Sequence, residues 1–396
     1  MHISNRQFFL QHIAQTSKEP LLLEIEKASG SLLFTPEGKE LIDLIGGISV
    51  SNVGHSHPKI VKAVQQQAEK HMHIMVYGEV VQSPQVNYAK QLCKFLPPSL
   101  NSIYFTNSGA EATEGALKLA KRFTGRTKIV YCKNAYHGST HGALSVMGDE
   151  YFKRNFRPLL PDVCMINYGD FNDLKNIDSR TAAIIIETIQ GESGITVPSI
   201  EYMQQLRQQC TETGALLILD EVQAGMGRTG KMFAFEHFDI QPDILTLAKA
   251  FGGGMPLGAF IANKSVTDTL TENPILGHIT TFGGHPVSCA AGDAALNILV
   301  EENLLKTVEQ KSLLFEKLLQ HKKIKSVRRK GLMMAVQFNS FEENKKIIDL
   351  AIANGVFTDW FLFAPECLRI VPPLNIPDNL IEKACSILLD CIDKSA

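Results

Sequence analysis

Lys249 is the residue of this chain with the most chemistry to offer. It stands in Thr246-Leu-Ala-Lys-Ala-Phe-Gly-Gly-Gly-Met-Pro-Leu-Gly258, a lysine in an apolar run that passes into three consecutive glycines. Burial among Ala and Phe disfavours the ammonium form and shifts an amine toward its neutral, nucleophilic state. The glycines let backbone approach a bulky ligand closely. Taken alone, the segment equally describes a lysine that caps a strand and snorkels to solvent. A second signal lies 29 residues upstream, where Leu219-Asp220-Glu221-Val222-Gln223 closes another strand-like run. A third is Thr106-Asn107-Ser108-Gly109-Ala110-Glu111-Ala112, whose small residues join a strand to a helix and leave backbone N–H groups free for an anion. Tyr136-His137-Gly138 adds an aromatic face.

These residues need a scaffold that gathers them. Residues 22–45 read as short strands around the turn Thr35-Pro36-Glu37-Gly38. Helical periodicity follows over Pro58–Lys70 and Pro84–Phe95, each opened by a proline in the first turn. Six strand-like runs come next, at Ser102–Thr106, Lys128–Cys132, Val163–Asn167, Ala182–Thr188, Ala215–Asp220 and Asp243–Leu247. Helical segments separate several of them, notably Ala112–Arg122 and Ile200–Thr213. This alternation predicts an α/β domain with a mostly parallel sheet. One long helical stretch is expected from Val287 to about Gln320, then two strands, a helix near 341–354 and an amphipathic helix from Asp378. That part reads as a smaller α+β domain. In open parallel sheets ligands sit at the carboxyl ends of the strands, which is where all four signals fall.

A phosphate anchor, a carboxylate, an aromatic face and an activated amine are together what a pyridoxal phosphate ring needs. With those residues in place, the chain resembles the class III (ω-amino acid) pyridoxal-phosphate aminotransferases, in the pattern of the acetylornithine and ornithine enzymes. The resemblance rests on Gly54-His55-Ser-His57-Pro58, Asn107-Ser-Gly-Ala-Glu-Ala112, Tyr136-His137-Gly138, Glu187-Thr-Ile-Gln-Gly-Glu192, Asp220-Glu-Val-Gln223 through Gly227-Arg-Thr-Gly230, Lys249, and Thr281-Phe-Gly-Gly-His-Pro286. It implies a fold type I transferase: a large cofactor-binding domain over 46–285, and a small domain made of 1–45 with 286–396. It also implies that Lys249 bonds to the cofactor and shuttles the proton, and that Asp220 pairs with the ring nitrogen. Gln223 would reach the ring hydroxyl, Ser108, Gly109 and Ala110 would bind the phosphate, and Tyr136 would stack on the ring. Thr281 would reach the phosphate of the neighbouring subunit, so a homodimer with shared active sites is expected.

A transaminase admits an ω-amino donor and a dicarboxylate such as 2-oxoglutarate in turn. An arginine that grips the dicarboxylate would stand unpaired when the ω-amine enters, unless a glutamate swings onto it. The resemblance assigns these parts to Glu192 and Arg369. Two positions depart from the pattern. Thr188 replaces a proline, a change expected to relax only local geometry. Ser139 stands where ornithine-type enzymes carry the arginine that grips the donor's far carboxylate. Transaminases of β-amino acids, diamines or diaminopelargonate-type donors, and aminomutases or decarboxylases on the same scaffold, therefore stay in view.

Composition excludes other classes. Of 396 residues 44% are hydrophobic and 20% charged, and the formal charge is −2, so neither a disordered chain nor a nucleic-acid-binding surface is indicated. The most apolar window, 244–261, is broken by Lys249, Pro256 and four glycines, so no membrane partner is expected. Eight scattered cysteines without a CxxC pair suit a reducing cytoplasm. His55 and His57 are spaced like metal ligands, yet no third ligand is near; they read as a turn into the next helix, with no metal. The thiols and the single tryptophan, Trp360, suggest no catalytic role.

Overall fold

The computed structural model describes residues 4–395. After a helix at Asn5–His12, strands β1 (Lys27–Ser29), β2 (Leu32–Phe34) and β3 (Glu40–Asp43) form an antiparallel meander. Helices Pro58–Lys70 and Ser83–Leu92 follow, each with proline in its first turn. The central sheet is then built from β4 (Ser102–Thr106), β5 (Lys128–Cys132), β6 (Val163–Ile166), β7 (Thr181–Glu187), β8 (Leu216–Asp220), β9 (Ile244–Leu247) and β10 (Gly258–Ala262). Its order is β4-β10-β9-β8-β7-β5-β6. Six strands run parallel, and β10 is antiparallel to both neighbours.

β7 and β8 are buried along their whole length, which is why their sequences are continuous apolar runs without alternation. The alternation survives in where the side chains go. Val130, Ile184, Ile186, Leu217 and Leu219 join the larger core on one face, whereas Ile129, Ile185, Leu216 and Ile218 join a second core on the other. Burial of both faces also hides β10, which the sequence pattern did not separate from the apolar window around it. Gly258 opens this strand because a Cβ there would overlap the Ser108 carbonyl, so the strand and the Ser108 turn are packed against each other.

The long helical stretch expected after residue 286 is two helices, Pro286–Glu301 and Leu304–Leu318. Asn303 breaks it by adopting a left-handed backbone (φ +51°), which asparagine tolerates better than most residues. The first of the two packs against helices Pro58–Lys70 and Ser83–Leu92. Beyond them lie β11 (Ser326–Lys330), β12 (Met333–Gln337), β13 (Val356–Phe357), β14 (Trp360–Phe361) and β15 (Ala364–Ile370). Four form an antiparallel sheet in the order β11-β12-β15-β14. β13 instead pairs in parallel with β3, so the N-terminal meander is completed by a strand more than 300 residues later. Helix Asp378–Lys394 closes the described chain. Among the described residues no helix is long and apolar enough to cross a membrane.

Candidate active site

Turns at the carboxyl ends of β4, β5, β7, β8 and β9 meet β14 and β15 around a cavity of about 780 Å³. Nine of the ten residues singled out from the sequence line it: Ser108, Gly109, Ala110, Tyr136, Glu192, Asp220, Gln223, Lys249 and Arg369. The tenth, Thr281, lies outside the cavity on an exposed segment. Asp359 and Trp360, to which the sequence reading gave no role, belong to the lining as well.

Ser108 caps helix Gly109–Thr124, its hydroxyl accepting from Glu111 N at 3.1 Å. The first N–H groups of a helix have no partner within it, so those of Gly109 and Ala110 are available at the cavity wall. The loop after β5 comes so close that a Cβ on Gly138, whose φ is +130°, would clash with Ala110 Cβ at 2.7 Å. Only glycine lets the Tyr136 loop lie against this helix end. Gly191 has a similar part opposite, where a Cβ would overlap Gln223 Oε1.

Asp220 Oδ1 accepts from Val222 N at 2.9 Å, and Oδ2 pairs with His137 Nδ1 at 2.7 Å. His137 is fully buried and fixes how the carboxylate faces the cavity. The sequence reading assigned it no role; its signal was only its place directly after Tyr136. Glu187 ties two loops together, accepting from Tyr136 N at 2.9 Å and Gly191 N at 2.8 Å. Burial pushes its carboxyl up to about 7, with His137 opposing and Asp220 adding to the rise. Thr188 does more than relax the local chain. Its hydroxyl donates to buried Glu221 at 3.0 Å and its N–H to Asp220 O at 3.3 Å, bonds that proline cannot make.

Lys249 opens a 3-10 turn just after β9 with φ +52°, a left-handed conformation that costs a non-glycine residue roughly 1–2 kcal/mol. Such strain is concentrated at functional sites. Burial pushes its amine below the ordinary lysine value; Glu192 pulls the other way and Arg369 reinforces the shift. The amine is thus held toward its nucleophilic form.

Arg369, on β15, is only 2% exposed. Its Nη1 and Nη2 donate to the two Glu192 oxygens at 2.7 and 2.9 Å, a bidentate pair across 177 residues of sequence. Nε donates to Asp359 Oδ1 at 2.8 Å and Nη2 also to the Trp360 carbonyl at 2.9 Å. The guanidinium lies 4.3 Å from the Phe361 ring centroid. Burial would raise Glu192, yet Arg369 outweighs it and holds the carboxyl below its ordinary value. Burial takes Asp359 up to about 6. The histidines act structurally: His57 caps helix Pro58–Lys70, and His55 Nε2 lies 2.6 Å from Asp43.

Fold, lysine turn and phosphate-type cradle define a cofactor-dependent transferase, and the comparisons give the family. The aminotransferase class-III model matches residues 13–392, and the chain belongs to that family. It is a pyridoxal-phosphate-dependent transaminase. It is 40% identical over 389 residues to the acetylornithine aminotransferase of Methanopyrus kandleri, covering 97% of each chain. The ornithine aminotransferase of Toxoplasma gondii ME49 superposes with a TM-score of 0.91 at 28% identity, over 99% of this chain and 96% of that one. A thermostable omega transaminase mutant from Pseudomonas jessenii superposes at 0.92 with 23% identity, over 100% and 99%, which speaks for the fold alone. The residues present fit pyridoxal phosphate: Gln223 Oε1 is buried at the cavity wall with no partner in the fold. An unsatisfied buried acceptor of this kind calls for a donor from a ligand.

Proposed function

We propose that the protein transfers an amino group from an ω-amino donor of the ornithine or acetylornithine type to 2-oxoglutarate. When bound, pyridoxal phosphate supplies an aldehyde for the amino group and a conjugated ring that takes up the electron pair left by a departing proton. Lys249 carries the cofactor between turnovers and moves that proton, as base and then as acid. Asp220, oriented by His137, would pair with the ring nitrogen and favour its protonated form. Gln223 would take the ring hydroxyl, Tyr136 would stack on the ring, and Ser108 with the N–H groups of Gly109 and Ala110 would hold the phosphate.

The observation that carries this reading is the bidentate Glu192–Arg369 pair in the same cavity as Lys249. With Glu192 in place the arginine is masked and an uncharged amine approaches freely. With Glu192 displaced, the same two N–H groups receive an acceptor carboxylate. Arg369→Ala is therefore expected to slow the 2-oxoglutarate half-reaction by about 10²-fold while the donor half-reaction changes far less. Glu192→Ala is expected to shift preference toward glutamate at the expense of ω-amines. Stopped-flow measurement of each half-reaction decides it, and equal losses in both halves would eliminate the gate.

A panel of amino donors with 2-oxoglutarate, read out as glutamate formed, tests the overall reaction; no glutamate from any donor overturns the acceptor. Ser139, whose hydroxyl lies 3.2 Å from the Tyr136 hydroxyl, supports a second reading in which the donor bears no far carboxylate, as in a diamine. Ser139→Arg is expected to improve acetylornithine by roughly tenfold or more in kcat/KM, the scale of one charge-assisted contact. An unimproved variant would mean the donor is held elsewhere.

We further read residues 46–285 as the cofactor-binding domain and 1–45 with 286–396 as the smaller one, a division supported by the β3–β13 pairing. A homodimer with shared sites is supported by exposed apolar side chains around Thr281. Val81 is 92% exposed and Ile275 76%, and Met72, Ile74 and Phe282 are exposed too. The two segments meet at Tyr77 N–Thr280 O, 3.1 Å, and His73 and Phe282 have ring centroids 5.0 Å apart, so exposed apolar groups lie on both sides of that junction, as at an interface. Eight unpaired thiols support a cytoplasmic setting.

A further inference from the structure

The pair formed by Glu192 and Arg369 leaves open how a guanidinium this deeply buried tolerates losing its partner. Removing one member of a buried ion pair strands the other as an uncompensated buried charge. Arg369 has a second carboxylate that no part of the exchange displaces. Asp359 Oδ1 accepts from Nε at 2.8 Å, and the Trp360 carbonyl accepts from Nη2 at 2.9 Å. The backbone locks the same group from below: Arg369 N donates to Asp359 O at 2.9 Å, and Thr358 Oγ1 donates to Arg369 O at 2.7 Å. Phe361 covers one face of the guanidinium. Nε is thus held on the side away from Glu192, while the Nη1/Nη2 edge points at Glu192 and the cavity.

We infer that Asp359 is a positioning residue for acceptor recognition: it fixes Arg369 by its Nε edge, so that the Nη1/Nη2 edge stays aimed whether Glu192 or a substrate carboxylate occupies it. This rests on the gate proposed above. Asp359 also remains as counter-ion when Glu192 swings out, so the open form contains no uncompensated buried charge. A guanidinium without this anchor could rotate about its side-chain bonds and meet a carboxylate through one N–H instead of two. A misplacement of about 1 Å at such a contact is enough to change rates by roughly 10²-fold.

The test separates geometry from general damage. Asp359→Ala should raise the 2-oxoglutarate KM by about tenfold or more and weaken binding of glutarate, an unreactive dicarboxylate, to the same degree by calorimetry. The donor half-reaction should stay within about threefold of its normal rate, since the donor does not use Arg369. Asp359→Asn keeps an oxygen for Nε but not the charge, and should restore the acceptor KM in part, to a value between those of Asp359→Ala and the native protein. If Asp359→Ala does not fold, Asp359→Glu reads the same property, because one added methylene displaces the anchor: the acceptor KM should rise with the donor step preserved. Equal changes in both half-reactions, or an unchanged glutarate affinity, overturn the inference. Arg369→Ala measured alongside tells the two readings apart. If it spares the acceptor step, the gate itself fails; if it damages that step and neither Asp359→Ala nor Asp359→Glu does, only the role of Asp359 fails.

Discussion

Lys249→Ala is expected to lower transamination by about 10⁴-fold or more while leaving a folded protein that still takes up pyridoxal phosphate. A positioned acid–base group alone contributes about 10²–10⁴-fold, and here the same amine also carries the cofactor. Folding should survive because the amine has no side-chain hydrogen-bond partner among the described residues, and its burial already disfavours the charged form. Alanine keeps a Cβ at a left-handed position (φ +52°), so the strain there is neither relieved nor made worse. The phosphate cradle of Ser108, Gly109 and Ala110 lies on a different turn and is untouched. Two measurements check the outcome: steady-state turnover, and retention of cofactor after borohydride treatment and dialysis. The native protein should keep its cofactor covalently and the variant should release it. Ordinary turnover in the variant would remove Lys249 from the chemistry altogether.

The second large effect is expected at Asp220. Asparagine has the same shape and can keep the Val222 N–H bond, but it loses the charge and presents an amide N–H₂ or a neutral oxygen to His137 Nδ1. In the native arrangement that nitrogen donates to the carboxylate at 2.7 Å, inside a region where both side chains are nearly inaccessible. Asp220→Asn should therefore fold, hold its cofactor covalently through Lys249, and lose about 10²–10³-fold in rate. That is the range seen when one preorganised electrostatic contact to a reacting centre is removed. Turnover measured together with borohydride retention separates this variant from Lys249→Ala, since only the latter should lose covalent retention. A rate within a few-fold of normal would mean that another group governs the ring nitrogen.

Much of the site was legible in the amino-acid order because its signals are local. A lysine after a buried strand, a small-residue turn into a helix and a carboxylate ending an apolar run each declare themselves within about seven residues. Lys249, Asp220 and the Ser108 turn depend on little else, and their meeting follows from the rule that parallel strands share a carboxyl edge. The strands β4 through β9 were equally readable; β5, β7, β8 and β9 are buried along their whole length, and burial on both faces forces continuous apolar runs bounded by polar turns.

Other features carry no such trace. β10 is apolar inside an apolar window, and only its pairing between β4 and β9 makes it a strand. The break at Asn303 depends on two helices packing in different places, which periodicity does not encode. His137 has a role because β5 and β8 bring it to Asp220 from 83 residues away. The three-way cluster of Glu192, Asp359 and Arg369 joins a turn after β7 to β15 and to the residue just before β14, and nothing in the spacing of those residues names Asp359 as a partner. Motifs fix which groups are present because they constrain neighbours along the chain. Which groups share a charge depends on how distant segments pack, and in this protein that was decided by tertiary structure alone.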